Sequence, residues 1–279
     1  EVGSGDPVSD FADIEEELNM WYHKILEGNR DKLKKITESD NDPVNALTEL
    51  YQGLGVKKNH VKEALKITKL EEKDIENYDI HDSKKFSTEL RRISKPTLIV
   101  ANKIDVKGAG KNFQRLRERY NDMIVVPASA DSELSLRRAE QKELIKYSPG
   151  SEQFDILKAN ELNQKQRDAL DFIKSDIMGE FMHTGVQFAI NVTVFKLLKM
   201  NSIYPVAIPE KLSDKNGRVL PDLILLKDGS TIVDLAKEIH SDLIKGLLYA
   251  KDLRYNLRVP TNYQLRDRDV ISLVSASKK

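Results

Sequence analysis

Over the first 95 residues apolar side chains recur at helical spacing. Phe11, Ile14, Leu18, Trp21 and Ile25 stand three and four positions apart, which lines them along one side of a helix. Ser9 and Asp10 are candidate N-caps, and Gly28 is placed to end the run. Further helices are predicted over 31–38, 43–54, 61–70 and 83–93, punctuated by Gly53, Gly55 and the Asn41-Asp42-Pro43 run. Segment 1–95 therefore reads as a helical hairpin or small bundle.

The period then changes. Pro96-Thr97-Leu98-Ile99-Val100-Ala101 is a short apolar run, the pattern of a parallel strand buried on both faces. A polar helix is predicted over 113–120, and Met123-Ile124-Val125-Val126 is a second apolar run. Strand, helix and strand in about 30 residues make a βαβ unit, right-handed by default. Ser148-Pro149-Gly150 marks a boundary, and helices are predicted over 163–182 and 186–199, with Leu170, Ile173, Ile177 and Phe181 on one face. From Ile203 strands dominate. Asn216-Gly217 is a hairpin turn, 222–226 a strand, and Asp228-Gly229 leads into a helix capped by Thr231 with Asp234 and ending near His240. Segments 247–250 and 270–274 complete a small α+β unit. The fold class is α/β, in four segments: 1–95, 96–150, 151–200 and 201–279.

Composition narrows the function classes. Hydrophobic residues are 39% and charged residues 32% of the chain, as in soluble globular proteins. No stretch approaches the ~20 apolar residues of a membrane span, so no membrane association is expected. Glu1 to Asp10 lack the basic and apolar regions of a signal peptide, and a cytoplasmic location is expected. With no cysteine, disulfides, thiolate metal sites and cysteine nucleophiles are excluded. The 45 basic and 45 acidic residues balance, which argues against unspecific polyanion binding and against DNA as a partner. A local basic face can still touch RNA. High charge of both signs also suits the ion-pair networks of a thermophile.

The chemistry is concentrated in Asn102-Lys103-Ile104-Asp105, directly after the first apolar run. Ligands of open α/β sheets bind just beyond the carboxyl ends of strands. A carboxylate at Asp105 can accept hydrogen bonds from the N1–H and N2–H₂ edge of guanine, whereas adenine presents a lone pair at N1. Leaving the charged acceptor unpaired costs about 1.5–3 kcal/mol, which excludes adenine. Asn102 can donate to N7 or O6, and the Lys103 stem can lie along the base. The second strand ends in Pro127-Ala128-Ser129-Ala130. There the Ala130 N–H is placed to meet guanine O6 and Ser129 to buttress the Asp105 loop. The bland alternative is a polar turn in which Asp105 caps a helix.

Other stretches carry less. Gly108-Ala109-Gly110-Lys111 imitates a phosphate loop, but G-x-x-x-x-G-K-[ST] would need Gly and Ser or Thr where Asp105 and Asn112 stand. The five histidines show no metal-ligand spacing. Arg30 to Lys35 reads as a solvated helix face. Lys245, Lys251, Arg254, Arg258, Arg266 and Arg268 can line one face of a small sheet, opposed by Asp252, Asp267 and Asp269.

The stretches "SGDPVSDFADIEEELNMW" at 4–21, "KPTLIVANKID" at 95–105 and "PASADSELSLRRA" at 127–139 resemble the YchF-type branch of the Obg superfamily of GTPases, in its archaeal form. "GRVLPDLILLKDGSTIVDLAKEIHSDL" at 217–243, with "LRDRDVISLVS" at 265–275, resembles a TGS domain, the β-grasp, ubiquitin-like module. The resemblance implies a Ras-like G domain with a helical, partly coiled-coil insertion, here represented in part, then connecting helices and the TGS domain. It implies GTP or GDP with Mg²⁺ as ligands, the ribosome or ribosomal RNA as a partner, and slow hydrolysis. By position, Asn102, Lys103 and Asp105 match the base-specificity motif, and Ser129 and Ala130 the last G-domain motif. Retention of Asp105, where many relatives carry glutamate and prefer ATP, favours GTP. The phosphate loop, switches and magnesium ligands of the family are expected before Glu1, so residues 1–279 alone are expected to be inactive in hydrolysis. The alternative function is a non-catalytic RNA- or ribosome-binding module built on the TGS domain and helices. A fragment of a TGS-bearing synthetase or alarmone enzyme explains neither the Asn102–Asp105 loop nor its place between strands.

Overall fold

Helix α1 (Pro7–Glu27) starts earlier than its apolar spacing predicts, because Asp6 caps it and Pro7 fills the first helical position. The Asp6 carboxylate accepts from Val8 N–H at 3.2 Å, so Ser9 and Asp10 lie inside the helix. The computed structural model describes residues 2–3, 5–40, 42–214, 216–220 and 222–276, residues 37–40 by their backbone alone. Asn41 of the punctuating run, and Ser4 and Pro221 of the family-like stretches, lie outside the described residues. The chain divides into two compact units, residues 1–189 and 190–279.

In the first unit α1 is followed by α2 (Arg30–Asp40), α3 (Pro43–Tyr51), α4 (Lys58–Thr68) and α5 (Ile80–Ser94). Their core is built on Tyr22, Leu26, Leu47, Tyr51, Phe86 and Leu90. Tyr22 and Tyr51 stack at 5.5 Å, and the Tyr51 hydroxyl donates to the Tyr22 carbonyl at 2.8 Å. The side of α1 that packs on α5 is partly polar. Arg91, buried, donates to Glu15 Oε1 at 2.7 Å and Asn19 Oδ1 at 2.9 Å. Ile14, Leu18 and Trp21, which the spacing placed on one stripe, are instead exposed at 55%, 38% and 49%.

Strands β1 (Ile99–Asn102) and β2 (Val125–Ala128) pair in parallel, Ile99 opposite Val125 and Asn102 opposite Ala128. Helix α6 (Ala109–Arg119) connects them and covers one face, with Phe113 and Leu116 packed on Ile99 and Ala101. The expected burial of β1 on both faces is not what forms: Val100 is 45% exposed, because only one face of this two-stranded ladder is covered. Helix α7 (Ala130–Gln141) leaves β2. The Ser148–Gly150 turn then lies between the short antiparallel strands β3 (Ile145–Lys146) and β4 (Asp155–Ile156). Helix α8 (Gln164–Phe172) is capped reciprocally by Asn163 and Gln166, widens into a π-helical stretch at Ile173–Met178 and ends in the single turn α9 (Gly179–Phe181). Helix α10 (Val186–Asn191) follows, and the division between the units falls within it.

The second unit is a five-stranded sheet crossed by a helix. Its strands are β5 (Met200–Pro205), β6 (Ile224–Lys227), β7 (Leu247–Asp252), β8 (Leu257–Val259) and β9 (Asp269–Ser275), in the order β6-β5-β9-β7-β8. β5 and β9 run parallel at the centre and the other pairs are antiparallel. The helix α11 (Ile232–Ile239) buries Ile232, Leu235 and Ala236, and packs Ile232 and Leu235 in one core with Ile203, Ala250 and Ile271. Its Thr231–Asp234 capping box forms as the sequence predicts, and the short helix α12 (Ser241–Gly246) leads into β7. β8 is the one strand of this sheet that the apolar pattern does not announce, since Leu257 and Arg258 are exposed on the sheet edge.

Candidate functional site

Asn102 closes β1, and the chain then turns through Lys103, which takes a left-handed φ of 67°. That turn sends Ile104 into the core and leaves Asp105 half-buried. The loop is pinned to β2 by Ile104 N–H, which donates to the Ala128 carbonyl at 3.1 Å. Val106 N–H closes it on the Lys103 carbonyl at 3.1 Å. On the other side Val2 N–H donates to the Asn102 carbonyl at 3.1 Å, and Asn112 Nδ2 donates to the Val2 carbonyl at 3.0 Å. Asn112 therefore has a structural task where a phosphate loop would need a hydroxyl.

Asp105 does not cap a helix. Helix α6 is entered through Gly108 at φ 88°, with no side-chain cap. Asp105 Oδ1 is buried and has no protein donor, which is costly for a charged acceptor unless a ligand supplies one. The bland reading of the loop is thereby set aside, and the same observation fits a guanine edge.

Asn102 and the second loop meet directly. Ala130 N–H donates to Asn102 Oδ1 at 3.1 Å, which orients the amide and leaves Nδ2 as its donor. The backbone group expected to meet guanine O6 is thus engaged in holding Asn102. The expected contact of Ser129 with the Asp105 loop is not made by its side chain. Ser129 is fully buried, its Oγ accepts from Ser132 N–H at 3.1 Å to cap α7, and it pairs with Ser132 Oγ at 2.7 Å. A cap at the start of α7 competes for that hydroxyl and wins by proximity.

Behind Ser129 lies a buried polar cluster that the sequence did not announce. Thr184 and Glu133, 51 positions apart, are hydrogen bonded, and Tyr147 joins them. Burial pushes the Glu133 carboxyl up, but hydrogen bonds from Thr184, Arg137 and Tyr147 outweigh it and hold it below its ordinary value. Glu133 falls in the 127–139 stretch, where Arg137 is a local i,i+4 partner, yet nothing local signals Thr184 or Tyr147.

In the second unit the six basic residues do not form one free face. Lys245 pairs with Asp242 at 3.2 Å, Arg268 with Asp267 at 3.6 Å, and Arg254 with the fully buried Asp269. Lys251 and Arg258 lie opposite each other on β7 and β8, and the Arg258 guanidinium covers the Tyr249 ring at 3.8 Å. Among the described residues no three His, Asp or Glu side chains are grouped to hold a metal, and no helix is long and apolar enough to cross a membrane.

Comparison with known proteins bears on the same two regions. Residues 100–207 match the Obg-like GTPase YGR210-like, G4 motif-containing domain, which takes in both loops, and residues 213–275 match the TGS domain. A GTP-binding protein of Methanocaldococcus jannaschii is 39% identical over 273 residues, covering 98% of this chain and 68% of that protein. A GTP-binding protein of Schizosaccharomyces pombe is 27% identical over 237 residues, covering 81% of this chain and 57% of its own length. The crystal structure of a GTP-binding protein from Pyrococcus horikoshii superposes with a TM-score of 0.79 at 36% identity, covering 97% of this chain and 72% of that one.

Proposed function

Since this chain belongs to the GTP-binding proteins of the YchF/Obg type with a TGS domain, we propose that Asn102, Lys103, Asp105, Ser129 and Ala130 are the residues with which it selects guanine. The observation that carries this is the buried Oδ1 of Asp105, left without a donor beyond the end of β1. Such an acceptor costs about 1–3 kcal/mol, and the N1–H and 2-amino edge of guanine relieves that cost. Adenine cannot. Asn102 Nδ2 is assigned to the 6-oxo and N7 side, the Lys103 stem to the face of the base, and Ser129 and Ala130 to holding the Asn102 amide.

The ligand is GTP or GDP, with Mg²⁺ on its phosphates. No residue of this chain is assigned to the metal, and no G-x-x-x-x-G-K-[ST] sequence occurs in it, so none is assigned to phosphate transfer. The macromolecular partner is the ribosome, engaged through RNA by the second unit, with Lys251 and Arg258 as its basic pair; a cytoplasmic location goes with that partner.

Displacement of fluorescent GDP from the intact protein by GDP, IDP and ADP tests the base assignment. GDP should bind tightest, IDP more weakly for want of the 2-amino group, and ADP weakest, by about a hundredfold or more. ADP competing as well as GDP would sink it.

A further inference from the structure

The turn before α10 lies against the end of β2 more closely than any side chain permits. Gly185 has a φ of 88°, and a Cβ on it would stand 2.0 Å from the Pro127 carbonyl oxygen and 2.6 Å from Ala128 Cα. Beside it Thr184, 1% exposed, accepts from Ser129 N–H through its carbonyl at 2.8 Å. The Thr184 hydroxyl in turn donates to Glu133 Oε2 at 2.5 Å. The Tyr147 hydroxyl donates to the same oxygen at 2.8 Å, and Arg137 Nε to Oε1 at 2.6 Å. Glu133 sits one helical turn beyond Ser129, its N–H on the Ser129 carbonyl at 3.1 Å. The carboxylate is buried, so its bonds with Thr184 and Tyr147 are sheltered from water, while that with Arg137 lies at the surface.

We infer that Glu133, acting through Thr184, is a positioning residue for the base-reading loop, fixing Ser129 so that Ala130 N–H can orient the Asn102 amide. This rests on the guanine assignment above. The bonds form one path: Glu133 to the Thr184 hydroxyl, the Thr184 carbonyl to Ser129 N–H, and the next N–H, of Ala130, to Asn102 Oδ1. Asp105 has no hydrogen bond to any member of that path among the described residues. The peptide that carries Ser129 N–H also carries the Ala128 carbonyl that holds Ile104 N–H. Asp105 itself bonds to none of these groups, so loosening the path acts on recognition of the 6-oxo edge before that of the 2-amino edge. GDP and IDP share the 6-oxo group and differ at the 2-amino group; ADP has neither.

The test is Thr184→Val in the intact protein, which removes the hydroxyl and keeps the branched shape, read by displacement of fluorescent GDP with GDP, IDP and ADP. GDP and IDP should both weaken by about five- to tenfold. Their ratio should stay unchanged while the GDP to ADP ratio falls. Thr184→Ser, which retains the donor, should restore wild-type binding. Glu133→Gln turns an acceptor toward a donor, should give the same pattern, and decides the matter if Thr184→Val does not fold. Unchanged GDP and IDP affinity in these variants would overturn the inference, and so would a fall common to all three nucleotides. Failure of the underlying assignment looks different. Wild-type protein would then bind GDP no better than ADP, and Asp105→Asn would leave the GDP to IDP ratio as it was.

Discussion

Asp105 and Ser129 show how far a residue's identity foretells its role. A carboxylate three positions after Asn102 is compatible with a helix cap or with a base reader, and the difference lies in whether its oxygens find donors. They do not find one at Oδ1, while α6 is entered through Gly108. Asp105→Asn replaces an acceptor by an amide that also donates. GDP should bind at least about tenfold more weakly to that variant, since a bond to a charged group is lost. XDP, which carries a 2-oxo acceptor where guanine has its amino group, should gain; competition between GDP and XDP on both proteins checks the exchange. Ser129 was legible as a loop residue, but not as a buried cap, because its choice of Ser132 depends on the helix that follows.

At the scale of elements, the sequence located β1, α6 and β2 and their parallel order, since an apolar run, a polar helix and a second run leave little choice of connection. It did not foretell which faces are covered. Val100 and Trp21 are half exposed, although their neighbours in the pattern suggested burial, because apolar spacing reports a face and says nothing of what packs on it. The α7–β3 region makes a prediction of its own. Hydrogen bonds from Thr184, Arg137 and Tyr147 hold the Glu133 carboxyl below its ordinary value in the folded protein. A folded value below the unfolded one adds stability that is complete above the unfolded value and is lost as pH falls through the folded value. Urea unfolding between about pH 6 and about pH 3 should therefore show wild-type stability declining toward acid pH more steeply than that of Glu133→Gln. Parallel curves would remove Glu133 from the acid dependence.

On the scale of the whole molecule, 45 cations match 45 anions. In the second unit Arg254, Lys245 and Arg268 each have an acidic partner, while Lys251 and Arg258 are neighbours across β7 and β8. If this surface meets RNA, the salt dependence of binding should be shallow, with a log–log slope of about −2 rather than about −5. Lys251→Glu with Arg258→Glu should abolish co-sedimentation with ribosomal RNA. A steep slope, or binding that survives the double variant, would move the RNA surface elsewhere on the molecule.

The sequence by itself determined the strand–helix–strand order of β1, α6 and β2, the α+β character of the last unit, and the place of Asn102 and Asp105 beyond a strand end. These follow from spacing, capping pairs and turn residues, all of which act between near neighbours in the chain. Only the tertiary structure decided that Ala130 serves Asn102, that Ser129 is a cap, and that Thr184 and Gly185 close on β2 under Glu133. Apart from the local Ser129 cap, those contacts join residues tens of positions apart, and a side chain's partner at that range is chosen by packing, which leaves no period in the sequence to read.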